Sequence, residues 1–156
     1  MNRYTAPVRD MKFALYDVIE ADKLYASLGI EHAQRDLLDA VMDEAAKFTQ
    51  TVLAPLNGVG DEVGCVHDKA TGAVTTPPGF KEAYAQFVEG GWQGLSFPTE
   101  FGGQGLPMSL NLFKSEMMGT ANWSFAMYPG LSVGCINTLM QYGSKKQKAQ
   151  YIPKLV

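Results

Sequence analysis

Few side chains in this sequence have a type and spacing that could carry chemistry. His32 and His67 stand apart, the Glu31-His32 pair has no second histidine four residues on, and Cys65 and Cys135 form no CxxC. Neither a metal-ligand set nor a base-and-nucleophile pairing can be assembled from them, and the histidines read as exposed polar residues. Glycines at 102, 103 and 105 invite a phosphate-loop reading, but no Gly-Lys-Ser/Thr follows and the position completing GxGxxG from Gly103 is Met108. With no strand before it, the nucleotide-binding context is missing. The structural reading is better: glycine permits positive φ and close backbone approach, while Pro98 fixes the chain direction ahead of it. Glu116, among Phe113, Met117 and Met118, is the carboxylate that could be drawn into a packed environment. A helix-surface or hydrogen-bonding role outweighs catalysis for it.

A less bland stretch is Trp123-Ser124-Phe125-Ala126-Met127-Tyr128-Pro129-Gly130-Leu131. On an amphipathic helix such a run is usually core. Pro-Gly inside it can also leave a gap, and Met and aromatic side chains shape adaptable apolar pockets. Core packing and pocket lining both remain open on residue physics.

The elements that must position these residues are helical. Pro7 opens one short helix within residues 1–30, with Asp10 in its first turn and Phe13, Tyr16 and Ile19 as a narrow apolar stripe. The strongest helix runs from about Gln34 to Leu56, burying Leu38, Val41, Met42, Ala45, Phe48, Val52 and Leu56. Pro55 and Asn57-Gly58 predict its end. Residues 61–77 read as a loop in which Cys65-Val66 and Ala73-Val74-Thr75-Thr76 flank turn residues, so a small hairpin is possible. Gly79 to Glu89 is a helix with Phe80, Tyr84, Phe87 and Val88 on its apolar face. After the glycine-rich connection, Pro107 or Ser109 starts a helix with Leu110, Phe113, Met117 and Met118. Residues 124–142 form the next, bent near Pro129-Gly130, and Ser144 caps a last one ending at Ile152. These predict an all-α, up-and-down bundle of five to six helices: an extension with one short helix at 1–30 and the bundle at 31–156.

The chain of 156 residues fits one domain, and thirteen basic against sixteen acidic residues give a net charge of −3. That balance argues against nucleic acid as a partner, because phosphate binding depends on clustered Lys and Arg. Lys145-Lys146-Gln147-Lys148 reads as a solvated helix face. Two distant cysteines favour a reducing, cytoplasmic setting. Met1 to Pro7 lacks the apolar run of a signal peptide, and no stretch reaches the ~18 apolar residues of a membrane span.

Several motifs share one resemblance. Gly90-Gly91-Trp92-Gln93-Gly94-Leu95 running on to Pro98-Thr99-Glu100-Phe101-Gly102-Gly103-Gln104-Gly105 resembles the "GW-GL…P-E-YGG-G" connection of acyl-CoA dehydrogenases. Val52-Leu53-Ala54-Pro55-Leu56-Asn57 resembles the end of that family's opening helix. Ser115-Glu116-Met117 resembles its "SEEL" helix, with Met where a second acid is common. Tyr142-Gly143-Ser144 to Leu155 resembles its "-GS-EQK-YLP-L" segment. The front from Tyr4 to Met11, with Asp61 to Cys65 and Thr75 to Phe80, is similar to the family's longer bacterial branch, which includes the 3-methylmercaptopropionyl-CoA dehydrogenase-like enzymes. Their order and spacing span essentially the whole chain.

The resemblance implies the N-terminal helical domain of an FAD-dependent enzyme that removes the α and β hydrogens of an acyl-CoA thioester. A glutamate base and the flavin do that chemistry, and in the family both lie beyond this domain. No catalytic or cofactor-binding residue is therefore expected here, and the chain alone should hold no FAD and be inactive. Acyl-CoA, an electron-transfer acceptor and a homo-oligomeric partner are implied for the parent enzyme. By motif position the acyl-pocket wall would fall on Phe125, Met127, Tyr128, Leu131 and Val133. Isolating the domain should expose apolar helix faces, expected at Phe113, Met117 and Leu139. The alternative is a non-catalytic helical interaction or acyl/lipid-binding module.

Overall fold

The computed structural model describes residues 4–156; Met1, Asn2 and Arg3, part of the stretch read above for a signal peptide, lie outside the described residues. The architecture is all-α with a two-stranded hairpin. α1 (Val8–Phe13) begins behind Pro7 and widens into a π turn over Ala14–Val18. Glu20 then takes a left-handed conformation, φ 52°, and α2 (Ala21–Ser27) follows. The front of the chain thus holds two short helices rather than one. Over α1 and its π turn the buried residues are Met11, Leu15 and Tyr16, whereas Phe13 and Ile19 are exposed. A π turn inserts an extra residue into the helix, which rotates the phase of any stripe read at constant spacing.

The same effect governs the longest rod. α3 (Arg35–Phe48), a π turn at Thr49–Leu53 and α4 (Ala54–Val63) are continuous, so the helix passes the predicted stop at Pro55 and Asn57-Gly58 and ends at Gly64. Pro55 falls in the first turn of α4, directly after the wide turn, where a missing N–H and a bulky ring are accommodated. The Thr49 hydroxyl donates to the Ala45 and Ala46 carbonyls, both at 2.9 Å, and Thr51 donates to the Lys47 carbonyl at 2.7 Å. These bonds serve carbonyls where the regular ladder is disturbed. In the wide turn and just after it the buried positions are Thr49, Leu53 and Ala54, with Val52 and Leu56 only half-buried. Gly60 lies within this helix, and a Cβ there would lie 2.8 Å from the Phe80 ring, so the close approach of that ring favours glycine.

β1 (Val66–His67) and β2 (Val74–Thr75) pair antiparallel, Val66 opposite Thr75 and His67 opposite Val74. Asp68 ties the intervening turn by accepting from the Ala70 N–H and the Thr71 hydroxyl. α5 (Phe80–Glu89) leads into the glycine-rich connection, followed by α6 (Met108–Ala121), α7 (Trp123–Tyr142) and α8 (Lys145–Tyr151). α7 runs as a single twenty-residue helix through Pro129. Ser144 forms a full capping box with Gln147 at the start of α8, and the Lys148 ammonium donates to the Met140 carbonyl at 2.6 Å, closing the end of α7.

Three apolar clusters hold these elements. Met11, Leu15, Tyr25, Leu38, Met42 and Met117 unite the front helices with α3 and α6. Leu53, Ala83, Phe87, Met118 and Phe125 join α4 through α7. Phe97, Ile136 and Ile152 fasten the connection to α7 and the chain's end.

Candidate functional site: an apolar cleft beside helix α7

The glycine-rich connection is a clasp. The Gly103 N–H donates to the Pro98 carbonyl, Gln104 to Gly94, Gly105 to Phe97 and Leu106 to Leu95, folding residues 94–98 against 103–106. A Cβ on Gly103 would sit 2.1 Å from the Phe97 oxygen, so only glycine allows this closure. The loop buries Leu95, Phe97 and Leu106. Because the N–H groups of Gly102, Gly103, Gln104 and Gly105 are spent on the loop's own carbonyls, this glycine segment offers no cradle for a phosphate.

Asn122 starts α7. Its side-chain oxygen accepts from the Phe125 N–H at 3.0 Å, and its amide donates to the Leu53 carbonyl at 3.2 Å, fixing the helix to the wide turn of the long rod. Beyond this cap a cleft of about 300 Å³ opens. α7 supplies Trp123, Ala126, Met127, Pro129, Gly130, Leu131 and Val133; α6 supplies Lys114, Ser115 and Met118, with Phe87 and Gln93 completing the wall. Gly130 contributes room, since a Cβ built there meets nothing within 4 Å. Met127 is 53% and Leu131 74% exposed, whereas Phe87, Met118 and Lys114 are buried. The cleft therefore has a solvent-facing apolar mouth and a closed inner end.

Of the five residues proposed from sequence as a pocket wall, Met127, Leu131 and Val133 line this cleft. Phe125 and Tyr128 do not. Phe125 is core, its ring 6.0 Å from Phe87 and 6.4 Å from Phe80, and Tyr128 stacks edge-on against Tyr84 at 5.6 Å. The reason is helical geometry: Phe125 and Tyr128 share an i, i+3 face turned toward α5, whereas Met127 and Leu131 share the neighbouring i, i+4 face.

Sequence reasoning missed Lys114, Gln93 and Ser115. Lys114 is only 5% exposed, its ammonium donates to the Trp92 carbonyl at 2.8 Å and lies 5.8 Å from the Phe87 ring centroid. Burial lowers its pKa to about 8. Gln93 donates to the Pro129 carbonyl at 3.2 Å. Glu116, by contrast, is exposed. It acts on Tyr4, whose hydroxyl is buried without a partner among the described residues and whose pKa is raised by burial and then by the Glu116 charge. His32 meets the Gly105 carbonyl at 3.0 Å on the surface, and both cysteines are exposed. Phe113 is half-buried and Met117 fully buried, so they carry no open apolar face; Trp123, Tyr128, Leu131 and Tyr142 do.

A wider, shallow groove lies between α1 and α3. Its charges serve each other: Lys12 pairs with Asp43 at 3.1 Å and Asp39 at 3.6 Å, and Arg35 lies over the Tyr16 ring, whose hydroxyl donates to Asp39 at 2.7 Å. Among the described residues no cluster of His, Cys, Asp or Glu could hold a metal ion, and no helix is long and apolar enough to cross a membrane. The cleft itself does not fit a flavin dinucleotide. At about 300 Å³ it is small and lined mostly by apolar side chains, and no phosphate cradle adjoins it.

Fold and cleft together define an all-α domain with a mostly apolar cleft beside α7. The chain belongs to the acyl-CoA dehydrogenase family: the family's profile, described as "Acyl-CoA dehydrogenase, N-terminal domain", matches residues 35–156. It is 38% identical to 3-methylmercaptopropionyl-CoA dehydrogenase of Ruegeria pomeroyi over 98% of this chain and 26% of that protein. It is 26% identical to the broad-specificity linear acyl-CoA dehydrogenase FadE5 of Mycobacterium tuberculosis over 95% of this chain and 24% of that protein. With butyryl-CoA dehydrogenase of Syntrophomonas wolfei it shares 27% identity over 99% of this chain and 25% of that protein. The chain spans about a quarter of the length of the curated relatives it matches.

Proposed function

We propose that this chain is the acyl-sheltering helical part of an FAD-dependent acyl-CoA dehydrogenase, with residues 31–156 as the family domain and residues 1–30 as an extension packed on it. The observation that carries the reading is the cleft beside α7, apolar at its mouth and closed at its inner end. An acyl chain entering past Met127 and Leu131 would lie along Pro129-Gly130 and Val133, shielded from water. Desolvation of this kind strengthens the interactions that polarise a thioester carbonyl for α-proton removal. The base and the flavin belong to other parts of such an enzyme, so this chain alone is colourless and oxidises no acyl-CoA. The parent enzyme acts in the cytoplasm as a homo-oligomer and passes electrons to a separate acceptor.

The test uses the protein as its gene encodes it. Gly130→Leu places a side chain in open cleft space and should shift relative kcat/KM toward short acyl-CoAs roughly tenfold or more, at about 1–3 kcal/mol for each methylene accommodated or refused. An unchanged chain-length profile with a folded protein defeats the acyl-slot reading. Acyl-CoA binding without any oxidation would instead favour a non-catalytic acyl- or lipid-binding module.

A further inference from the structure

The inner end of the cleft holds a group that an ordinary alkyl slot would not contain. Lys114 is buried, donates one N–H to the Trp92 carbonyl at 2.8 Å, and makes no salt bridge among the described residues. Its ammonium has three N–H donors, so the contact with Trp92 leaves it under-satisfied. None of the cleft walls carries an Asp or Glu: around Lys114 stand Phe87, Gln93, Ser115 and Met118. A buried cation without a counter-charge is costly, and an anion delivered into the cleft removes that cost. The mouth is apolar and exposed while the cation lies inside, so the complementary ligand is apolar along its length and anionic at its far end.

We propose that the cleft selects acyl chains bearing a terminal carboxylate, with Lys114 as the residue that recognises that carboxylate. The proposal rests on the acyl-slot reading above and names its substrate class. Gln93 orients the site from the connection, held by its bond to the Pro129 carbonyl. Ser115, one residue along α6, adds a hydroxyl to the same wall. The contact with Trp92 explains why the lysine stays buried in the absence of ligand, since it ties α6 to the clasp. That structural duty uses one donor and leaves the others for the incoming anion.

The experiment compares glutaryl-CoA with pentanoyl-CoA, which share acyl length and differ in the terminal carboxylate. Both are titrated calorimetrically into the protein as its gene encodes it, wild type and Lys114→Met. The wild type should bind glutaryl-CoA on the order of tenfold to a hundredfold tighter than pentanoyl-CoA, the worth of a charge-assisted hydrogen bond. Lys114→Met should erase or invert that ratio. Titration near pH 8 in buffers of different ionisation enthalpy should show extra proton uptake with glutaryl-CoA alone, because the carboxylate favours the protonated lysine. Lys114→Met should lose this uptake, which a merely structural lysine would not produce. If Lys114→Met fails to fold, the wild-type preference and proton uptake still decide. Pentanoyl-CoA binding equal to or tighter than glutaryl-CoA in the wild type overturns this proposal and leaves the acyl slot standing. If neither thioester binds, the acyl-slot reading and this proposal fall together.

Discussion

Helices α6 and α7 pack against each other but meet the rest of the molecule in opposite ways. α6 buries Leu110, Asn111, Lys114, Met117, Met118 and Ala121, two polar side chains among them, so it is enclosed over much of its circumference. α7 is six residues longer and buries only Phe125, Pro129 and Ile136, while Trp123, Met127, Tyr128, Leu131 and Tyr142 stand in solvent. The enclosed helix carries the charge and the open helix carries the aromatics, the reverse of a simple inside-outside rule. An unpaired ammonium in the interior and an apolar strip at the surface both cost free energy unless something answers them. The cleft lies where these two anomalies meet.

The sharpest way to break this contrast is to remove what anchors α7. Phe125→Ala deletes a ring that sits within 6.0 to 6.4 Å of Phe87, Tyr84 and Phe80. The expected loss is about 3–5 kcal/mol of stability, read as a fall in Tm of roughly 10 °C. A loss below ~1 kcal/mol would mean that α7 is held elsewhere and that its open face is not a consequence of anchoring along one strip.

The enclosed helix is tested by pH. Lys114 falls from 10.5 to about 8 in the folded chain because burial disfavours its charge. Between those values the unfolded chain binds more protons than the folded one, so stability rises with pH, by about 3 kcal/mol over the full window. Tyr16 acts with the opposite sign: burial and the Asp39 hydrogen bond raise its pKa above 10.0, so its contribution is lost as pH climbs beyond that value. The usable window is therefore pH 8 to 10. Urea unfolding of wild type and Lys114→Met across it should give converging stabilities, the variant gaining its relative advantage at the lower end. Parallel curves would show that Lys114 is hydrated and that α6 is not the enclosed helix described here.

How much of this was legible beforehand follows from which signals are local. Helix capping is local, and Ser144 announces α8 through a hydroxyl set three residues before Gln147. The clasp was legible because glycines at 102, 103 and 105 beside Pro98 leave little but tight backbone approach. The wide turns at Ala14–Val18 and Thr49–Leu53 were not, because an inserted residue leaves no mark on composition and moves every later side chain around the axis. That is why Ile19 fell out of phase with Phe13 and Tyr16, and why the rod outran Pro55. In the site, the segment Trp123 to Leu131 was legible but its faces were not: Tyr128 and Met127 are sequence neighbours about 100° apart on a helix. Lys114 was invisible for another reason. A lysine within an amphipathic stripe reads as surface, and only the arrival of Phe87 and the Trp92 carbonyl buries it.

The smallest effect belongs to the outer face of α7. Tyr128 is 70% exposed and touches Tyr84 edge-on with centroids 5.6 Å apart. An edge-to-face aromatic pair is worth about 0.5–1.5 kcal/mol, and solvent on the remaining sides places this one at the low end. Tyr128→Ala should therefore lower Tm by only a degree or two, and it should leave ligand discrimination in the cleft unchanged because the ring points toward α5. Phe125→Ala, three residues away on the same side, should cost several times more. If Tyr128→Ala destabilises as strongly as Phe125→Ala, the open face of α7 is part of the core and the contrast with α6 disappears. If it alters acyl discrimination while stability holds, the cleft extends around the helix to the α5 side, and the division of α7 into an anchoring face and a cleft face is wrong.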